Sequence, residues 1–526
     1  MMIKSAIPMI SDKETPPSPL MPFSPTPPTT YDSVVLSPHR CTTTTNTPLA
    51  KSIIDFTTIN NSYTQSRSPP TPTQQYDGRN TFIGENFKAN AKNGYLIITY
   101  NYNEKEKRIS MINIKDLTNV NGNWKIICKD FQVIPLGRGD GIYNWVFGGL
   151  RNWNLRGLLV YQESTSAYDI SEYYMHLGCI EEWCVRTFNE GYEICDSYPR
   201  QMILPIKVSK EEIKLSASRR YYNRFPALVW YNNEYKNVLM RNSATIKGCY
   251  NDTQIPFAFT NKKNLVIMDF VDKITSCKML LPTMKIREIP CFDRKTLMKY
   301  YHQFIEYINQ PEVILKQIDN IKWMSTISLM LKQASLIYEY MKNGTSVSIN
   351  CIDGTGICSI LSSLCCILCD DYFRTIKGFI ALIEKEWVLM GYPFAQYLGI
   401  DNDYFSNEPV EFILFIHCVE AIIRQNPTAL EITEDLIIFI LDELYKGKCN
   451  TFLFNSEKER RRECVDGKTL SLYDLIIQEL KLSKFKNYNF DVTSPVSISE
   501  NLLTIPLWTK YYLRYSFPKI AELNLC

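Results

Sequence analysis

Cys351 opens a short glycine-bearing run, Cys351-Ile-Asp-Gly-Thr-Gly-Ile-Cys358, whose residue types could perform phosphoryl chemistry. The run follows Ser346-Val-Ser-Ile-Asn350, which reads as a short buried strand, and precedes a helix expected over Ser359–Cys369. Strand, glycine-bearing loop and helix amino terminus make an anion cradle, because loop N–H groups and the helix dipole converge on one point. A cysteine opening such a loop would have a depressed pKa and could act as a nucleophile, but with Ile357 alongside, Cys351 reads rather as a buried small core residue that holds the loop. Turnover of a phosphate ester also needs a cation on the equatorial oxygens and an acid for the leaving group. The position six residues after the cysteine, where an arginine belongs, holds Ile357, and the residue before it is Gly356. Isoleucine cannot neutralise a dianion. Removing one oxyanion donor costs a factor of ~10²–10³ in rate, and losing a two-point cation costs at least as much. As a catalyst the loop is broken.

Other chemistry-bearing residues carry less. Cys366 and Cys369 have CxxC spacing, but no second pair stands at zinc-finger distance, and His39, His176, His302 and His417 all lie far along the chain. Cys365, Cys366 and Cys369 therefore read as small residues on a buried helix, with no metal and no cofactor expected. Glu384 and Glu386 resemble an acid/base pair, yet residues two apart on a helix face different ways, so separate structural roles are expected. Trp387 reads as core. Asp353 is expected to bond loop N–H groups and set the turn. The mixed run Glu457-Lys-Glu-Arg-Arg-Arg-Glu463 reads as a solvated face.

The elements that position the loop are legible in the same stretch. Trp323, Ile327, Met330, Ala334, Ile337 and Met341 recur at helical steps and form one apolar face. Asn343-Gly344 ends that helix, with the glycine free to cap it left-handed. Earlier, Tyr95–Tyr100 and Trp124–Lys129 are β-rich and divided by turns such as Asn121-Gly122-Asn123, suggesting a small antiparallel domain or barrel. Helical periods begin near Tyr168.

Composition bounds the rest. At 526 residues the chain has material for several units. The balance of 45% hydrophobic and 21% charged residues is globular. A net charge of +3 gives no reason to expect nucleic acid. No apolar run suits a membrane span and no secretory signal is evident, so the 17 cysteines are expected to be reduced in a cytoplasmic protein. Residues 1–78 hold 13 of the 27 prolines and few large apolar side chains, and are expected to be disordered. Thr15, Ser18, Ser24, Thr26, Ser37, Thr47, Ser68 and Thr71 each precede proline. These steps fit either proline-directed phosphorylation or composition alone.

Around the loop, the sequence resembles the myotubularin phosphoinositide 3-phosphatase family. That family's signature runs His-Cys-Ser-Asp-Gly-Trp-Asp-Arg-Thr, and Asn350, Cys351, Ile352, Asp353, Gly354, Thr355, Gly356, Ile357 and Cys358 occupy those places. Tyr192–Pro199, Ala217–Arg220, Arg224–Trp230, Arg241, Tyr372–Phe379, Ile383–Trp387, Asn426–Glu431, Asn455–Glu457, Leu507-Trp508 and Tyr511-Tyr512 extend the likeness over residues 153–515. Residues 79–150, with Cys128-Lys-Asp-Phe131, are similar to the family's PH-GRAM domain, and 516–526 form a short tail. The resemblance implies an α/β protein-tyrosine-phosphatase-like domain after a small PH-GRAM β-barrel and a disordered amino-terminal tail. It also implies a catalytically inactive member, because Gly356 replaces the acid, Ile357 the phosphate-clamping arginine and Cys358 the threonine. The family's glycine- and lysine-rich loop after Asp269 looks shortened over Phe270–Met284, and neither a coiled coil nor a lipid-binding finger is expected. The implied function is a non-catalytic adaptor or regulator of active phosphoinositide 3-phosphatases, peripheral on endosomal membranes, with an active myotubularin as partner and phosphoinositide membranes as a second. Two alternatives stay open: a weak cysteine phosphatase that borrows a cation from Arg219, Arg220 or Arg374, and a phosphoinositide-binding recruitment module.

Overall fold

Alternating burial builds the first half of the fold. The computed structural model describes residues 81–515 apart from 93, 104, 140, 151–163, 180, 247–258, 261–263, 271–283, 291, 309–320, 401–407, 464–468, 480–483 and 506. The expectations for 1–78, for 516–526 and for most of the loop after Asp269 thus lie outside the described residues. Strands β1 (Thr81–Ile83), β2 (Phe87–Lys92), β3 (Tyr95–Tyr100) and β4 (Glu106–Ser110) pair antiparallel in chain order. Strands β5 (Ile114–Val120), β6 (Asn123–Cys128) and β7 (Val133–Gly137) make a second antiparallel sheet. Asn121 and Gly122 take φ of 55° and 84°, the left-handed pair that a two-residue hairpin requires. Phe82, Phe87, Leu96, Ile98, Leu117, Ile126 and Ile134 fill the space between the sheets. Helix α1 (Ile142–Leu150) closes it with Trp145, whose ring lies 5.6 Å from Phe82.

The remainder is built on a five-stranded sheet. Helix α2 (Ile170–Leu177), a ribbon of β8 (Trp183–Arg186) and β9 (Met202–Pro205), and helix α3 (Lys210–Ser218) precede it. Its strands are β10 (Ala227–Asn232), β11 (Asn237–Ser243), β12 (Leu265–Phe270), β13 (Met284–Glu288) and β14 (Ser346–Cys351), in the order β10-β11-β14-β12-β13. All pairs except β10–β11 are parallel. The central β14 therefore ends beside the ends of β11 and β12, at the edge where open α/β sheets hold their ligands.

Helices cover the sheet. Helix α4 (Arg294–Ile308) is followed by α5 (Lys322–Lys342), which buries Trp323, Ile327, Met330, Ala334, Ile337 and Met341, the face read from spacing. Gly344 then turns the chain with φ 72°. Helix α6 (Gly356–Cys369) is buried along nearly its whole length and packs against α5 and, on another side, α9. Helix α7 (Ile376–Ile383) runs into a wide π-helical turn, Glu384–Leu389. After it come α8 (Phe394–Leu398), α9 (Val410–Gln425), α10 (Glu434–Lys446), α11 (Glu457–Arg462), α12 (Leu472–Glu479) and α13 (Thr509–Tyr512). Among the described residues no helix is long and apolar enough to cross a membrane.

Polar contacts dock the β-rich amino-terminal part on the helices. Lys115 Nζ lies 2.7 Å from Glu408 Oε1, and the buried Lys129 donates to the Leu398 carbonyl at 2.9 Å. Burial pulls Lys129 down to about 8, because the low-dielectric site disfavours its charge. Phe131 packs edge-on against Tyr511 and Tyr512.

Candidate functional site

The loop at the end of β14 is tied down by its own aspartate. Asp353 Oδ1 accepts from the Thr355 N–H at 2.9 Å and Oδ2 from the Thr355 hydroxyl at 2.6 Å, the turn-setting role expected of it. Gly354 has φ 66°, and a Cβ there would stand 2.9 Å from the Ser243 nitrogen, so the chain needs glycine for both conformation and space.

The helix begins earlier than its sequence pattern suggests. Gly356, Ile357 and Cys358, read as loop, form the first turn of α6, which starts at Gly356 and not at Ser359. Tertiary contacts recruit this turn, since Ile357 and Cys358 are buried against the core.

Two arginines brace the loop from beneath. Arg224 Nη2 and Arg241 Nη2 donate to the Gly354 carbonyl at 3.2 and 2.8 Å. Arg241 also donates to Ser359 Oγ, to the Glu386 carbonyl and to Glu386 Oε2, each at 2.8 Å. Both arginines are 1% exposed, so they serve the fold and not a ligand at the mouth. The cations weighed from sequence lie elsewhere. Arg220 donates to the Ser243 carbonyl, and Arg374 to the carbonyls of Ile367 and Ser494. Arg219 caps the end of α3.

Cys351 is buried at the base of the loop. It is 4% exposed, and its sulfur lies 3.0 Å from Cys358 Sγ, 3.5 Å from Asp353 Oδ1 and 4.0 Å from the Thr355 carbonyl. Burial, and then the Cys358 and Asp353 neighbours, push its pKa well above the ordinary thiol value. The depression that an anion cradle gives a thiol is absent: acceptors surround the sulfur where a thiolate needs donors and cations.

A buried carboxyl flanks the loop at Gly356. Glu411, in the first turn of α9, accepts from Arg294 and, at 2.7 Å, from the Tyr392 hydroxyl. Burial raises its pKa in spite of Arg294. Behind the loop, Ser348, Asn242, Asn350 and Asp269 form a hydrogen-bonded chain across three strands, with links of 2.7, 2.7 and 2.6 Å. Burial pushes Asp269 up to about 6, against the opposing bond from Asn350.

Neither Glu411 nor Arg294 figured in the sequence reading. The available signal was a lone acid inside the apolar run Val410–Ile416, since a charge buried on a helix face must find a partner.

The remaining candidates fall into structural places. Glu384 accepts from the Ser166 hydroxyl and the Tyr168 N–H, whereas Glu386 pairs with Arg241 and Lys385, so the two acids do separate work. Trp387 is fully buried and donates to Ser363 Oγ at 3.0 Å. Cys365 and Cys366 are buried in α6 with Cys369 partly so. His176 pairs with Asp370, His302 faces Glu408 and His417 accepts from Trp323. The charged run from Glu457 forms α11, whose first residue accepts from the Arg200 N–H.

Known proteins share this frame. Residues 157–461, more than half of the chain, match the family described as myotubularin-like phosphatase domain. The chain is 29% identical over 375 residues to Myotubularin of Xenopus tropicalis, covering 65% of this chain and 61% of that protein. It is 30% identical over 376 residues to Myotubularin of Xenopus laevis, with the same coverage. It is 30% identical over 366 residues to Phosphatidylinositol-3,5-bisphosphate 3-phosphatase MTMR2 of Mus musculus, covering 64% of this chain and 56% of that protein. The matched region thus spans about three fifths of the length of these relatives. With its central β14, its Cys351 loop and the extent of this match, the chain belongs to the myotubularin-like phosphatase family.

Proposed function

We propose that the chain is a pseudophosphatase of this family, a non-catalytic adaptor or regulator of active phosphoinositide 3-phosphatases. The observation that carries the reading is the environment of Cys351. Its sulfur faces a thiol, a carboxylate and a carbonyl, Ile357 stands where a phosphate clamp belongs, and Arg224 and Arg241 are spent on the Gly354 carbonyl beneath. Residues 79–150 are assigned as a PH-GRAM-type unit, supported by their two antiparallel sheets and closing helix. Peripheral association with phosphoinositide-bearing endosomal membranes and an active myotubularin partner complete the reading.

A second reading is favoured by one observation, the likeness to the Mus musculus relative named as a 3-phosphatase. On that reading this chain is a cysteine-dependent phosphoinositide phosphatase. Purified chain incubated with phosphatidylinositol 3-phosphate and phosphatidylinositol 3,5-bisphosphate separates the two. The pseudophosphatase releases no phosphate above background, and an active myotubularin co-purifies with it from its native cell. Release that disappears with Cys351→Ser overturns the proposal and establishes the second reading.

A further inference from the structure

The sulfurs of Cys351 and Cys358 face each other across the base of the loop, 3.0 Å apart. Cys351 ends β14 and Cys358 lies in the first turn of α6, so two rigid elements hold the pair in register. The separation exceeds a disulfide bond of ~2.05 Å by about 1 Å, a gap that small side-chain rotations can close. Among the described residues no other two cysteine sulfurs are hydrogen-bonded to each other.

We propose that Cys351 and Cys358 form a reversible disulfide when the chain meets a peroxide. The proposal is independent of whether the chain turns over phosphoinositides. Cys351 is the entry point, since it retains slight exposure beside the half-exposed Ile352, whereas Cys358 has none. Because the acceptors around it disfavour a thiolate, the oxidation is slow and needs prolonged exposure to peroxide. The Cys351 sulfur attacks one oxygen of hydrogen peroxide and the O–O bond breaks. The departing hydroxide takes the Cys351 proton and leaves as water, with Cys351 now a sulfenic acid. Cys358 then attacks that sulfur: the S–S bond forms, the S–O bond breaks, and the second hydroxide leaves as water with the Cys358 proton. Two thiols are oxidised and one peroxide is reduced.

The surroundings select this product over further oxidation. Asp353 Oδ1 and the Thr355 carbonyl face Cys351, and the carbonyls of Asn242 and Ile349 lie 3.6 Å from Cys358 Sγ. A sulfinate would bring negative oxygens against these acceptors, whereas a disulfide carries no charge. Reduction by a dithiol returns both thiols, as for the transient disulfides of reducing compartments.

The test uses the full chain, reduced and then exposed to hydrogen peroxide, blocked with an alkylating agent in denaturant and cleaved before Asp353. That cut separates the two cysteines unless a bond joins them. Mass spectrometry is expected to find the Cys351 and Cys358 peptides linked in most of the chain, released by dithiothreitol, with Cys365 and Cys366 alkylated. In Cys358→Ser the sulfenic acid at Cys351 is expected to persist and be trapped by dimedone. Recovery of Cys351 as free thiol or sulfinic acid in peroxide-treated wild-type chain overturns the proposal. So does linkage of either cysteine mainly to a third one.

Discussion

A Cβ placed on Gly356 would lie 3.3 Å from Glu411 Cγ and 3.8 Å from its carboxyl oxygen Oε1. The ground that the family's acid needs is therefore bordered by another acid, held there by Arg294 and Tyr392. Restoring the two signature residues, Gly356→Asp with Ile357→Arg, then sets two carboxylates side by side. The double variant is expected to release no phosphate from phosphatidylinositol 3-phosphate. Adding Glu411→Gln keeps the hydrogen-bonding shape, removes the charge and should give the first measurable turnover. Equal turnover in the double and triple variants would refute the role assigned to Glu411.

Gly354 offers a sharper stability test. Its left-handed φ costs an alanine about 1–3 kcal/mol of strain, and the added methyl must also displace the Ser243 backbone. Gly354→Ala is expected to lower the urea midpoint by that amount or more, with an unchanged m-value.

Arg241 is the buried tie between loop, α6 and the π-helical turn. Arg241→Ala leaves Glu386 with Lys385 as its remaining partner in a fully buried place and leaves the Gly354 carbonyl with the longer bond from Arg224. Breaking a buried pair in this way typically costs about 3–5 kcal/mol. Arg241→Lys should recover little, because one ammonium cannot span Gly354, Ser359 and Glu386. Equilibrium unfolding of the three proteins checks the order.

The response to pH should have two arms of opposite sign. Burial raises Glu384 to about 7, outweighing the bonds from Ser166 and Tyr168. The fold therefore favours its neutral form, and that contribution is present below its ordinary value and lost as pH rises through about 7. Burial would also raise Glu408, but Lys115 and His302 outweigh it and hold the carboxyl down to about 2. Its contribution is present above the ordinary glutamate value and lost as pH falls toward 2. Glu384→Gln should flatten the decline between pH 5 and 7.5, gaining on the order of 1–3 kcal/mol at the upper end. Lys115→Gln should weaken the acid-side loss, read as protease sensitivity of the β-rich part.

Local patterns carried much of this protein. The α5 face, the Gly344 cap, the β3 strand and the Asn121-Gly122 turn follow from spacing and backbone preference within a few residues, which any chain segment expresses on its own. The Cys351 loop and the isoleucine six residues after its cysteine were equally local, being matters of residue type at fixed offsets. Contacts across the fold decided the rest. Glu411 lies 55 positions beyond Gly356, and only the packing of α9 on α6 brings them together. Arg224 and Arg241 stood in the sequence only as part of the family likeness, and the fold buries them beneath Gly354, where both donate to its carbonyl. The charge preference of Cys351 was likewise decided by the fold, because a loop shape invites a thiolate while desolvation and neighbouring acceptors set its cost. Desolvation and long-range partners are properties of the folded neighbourhood, and no spacing rule in the chain encodes them.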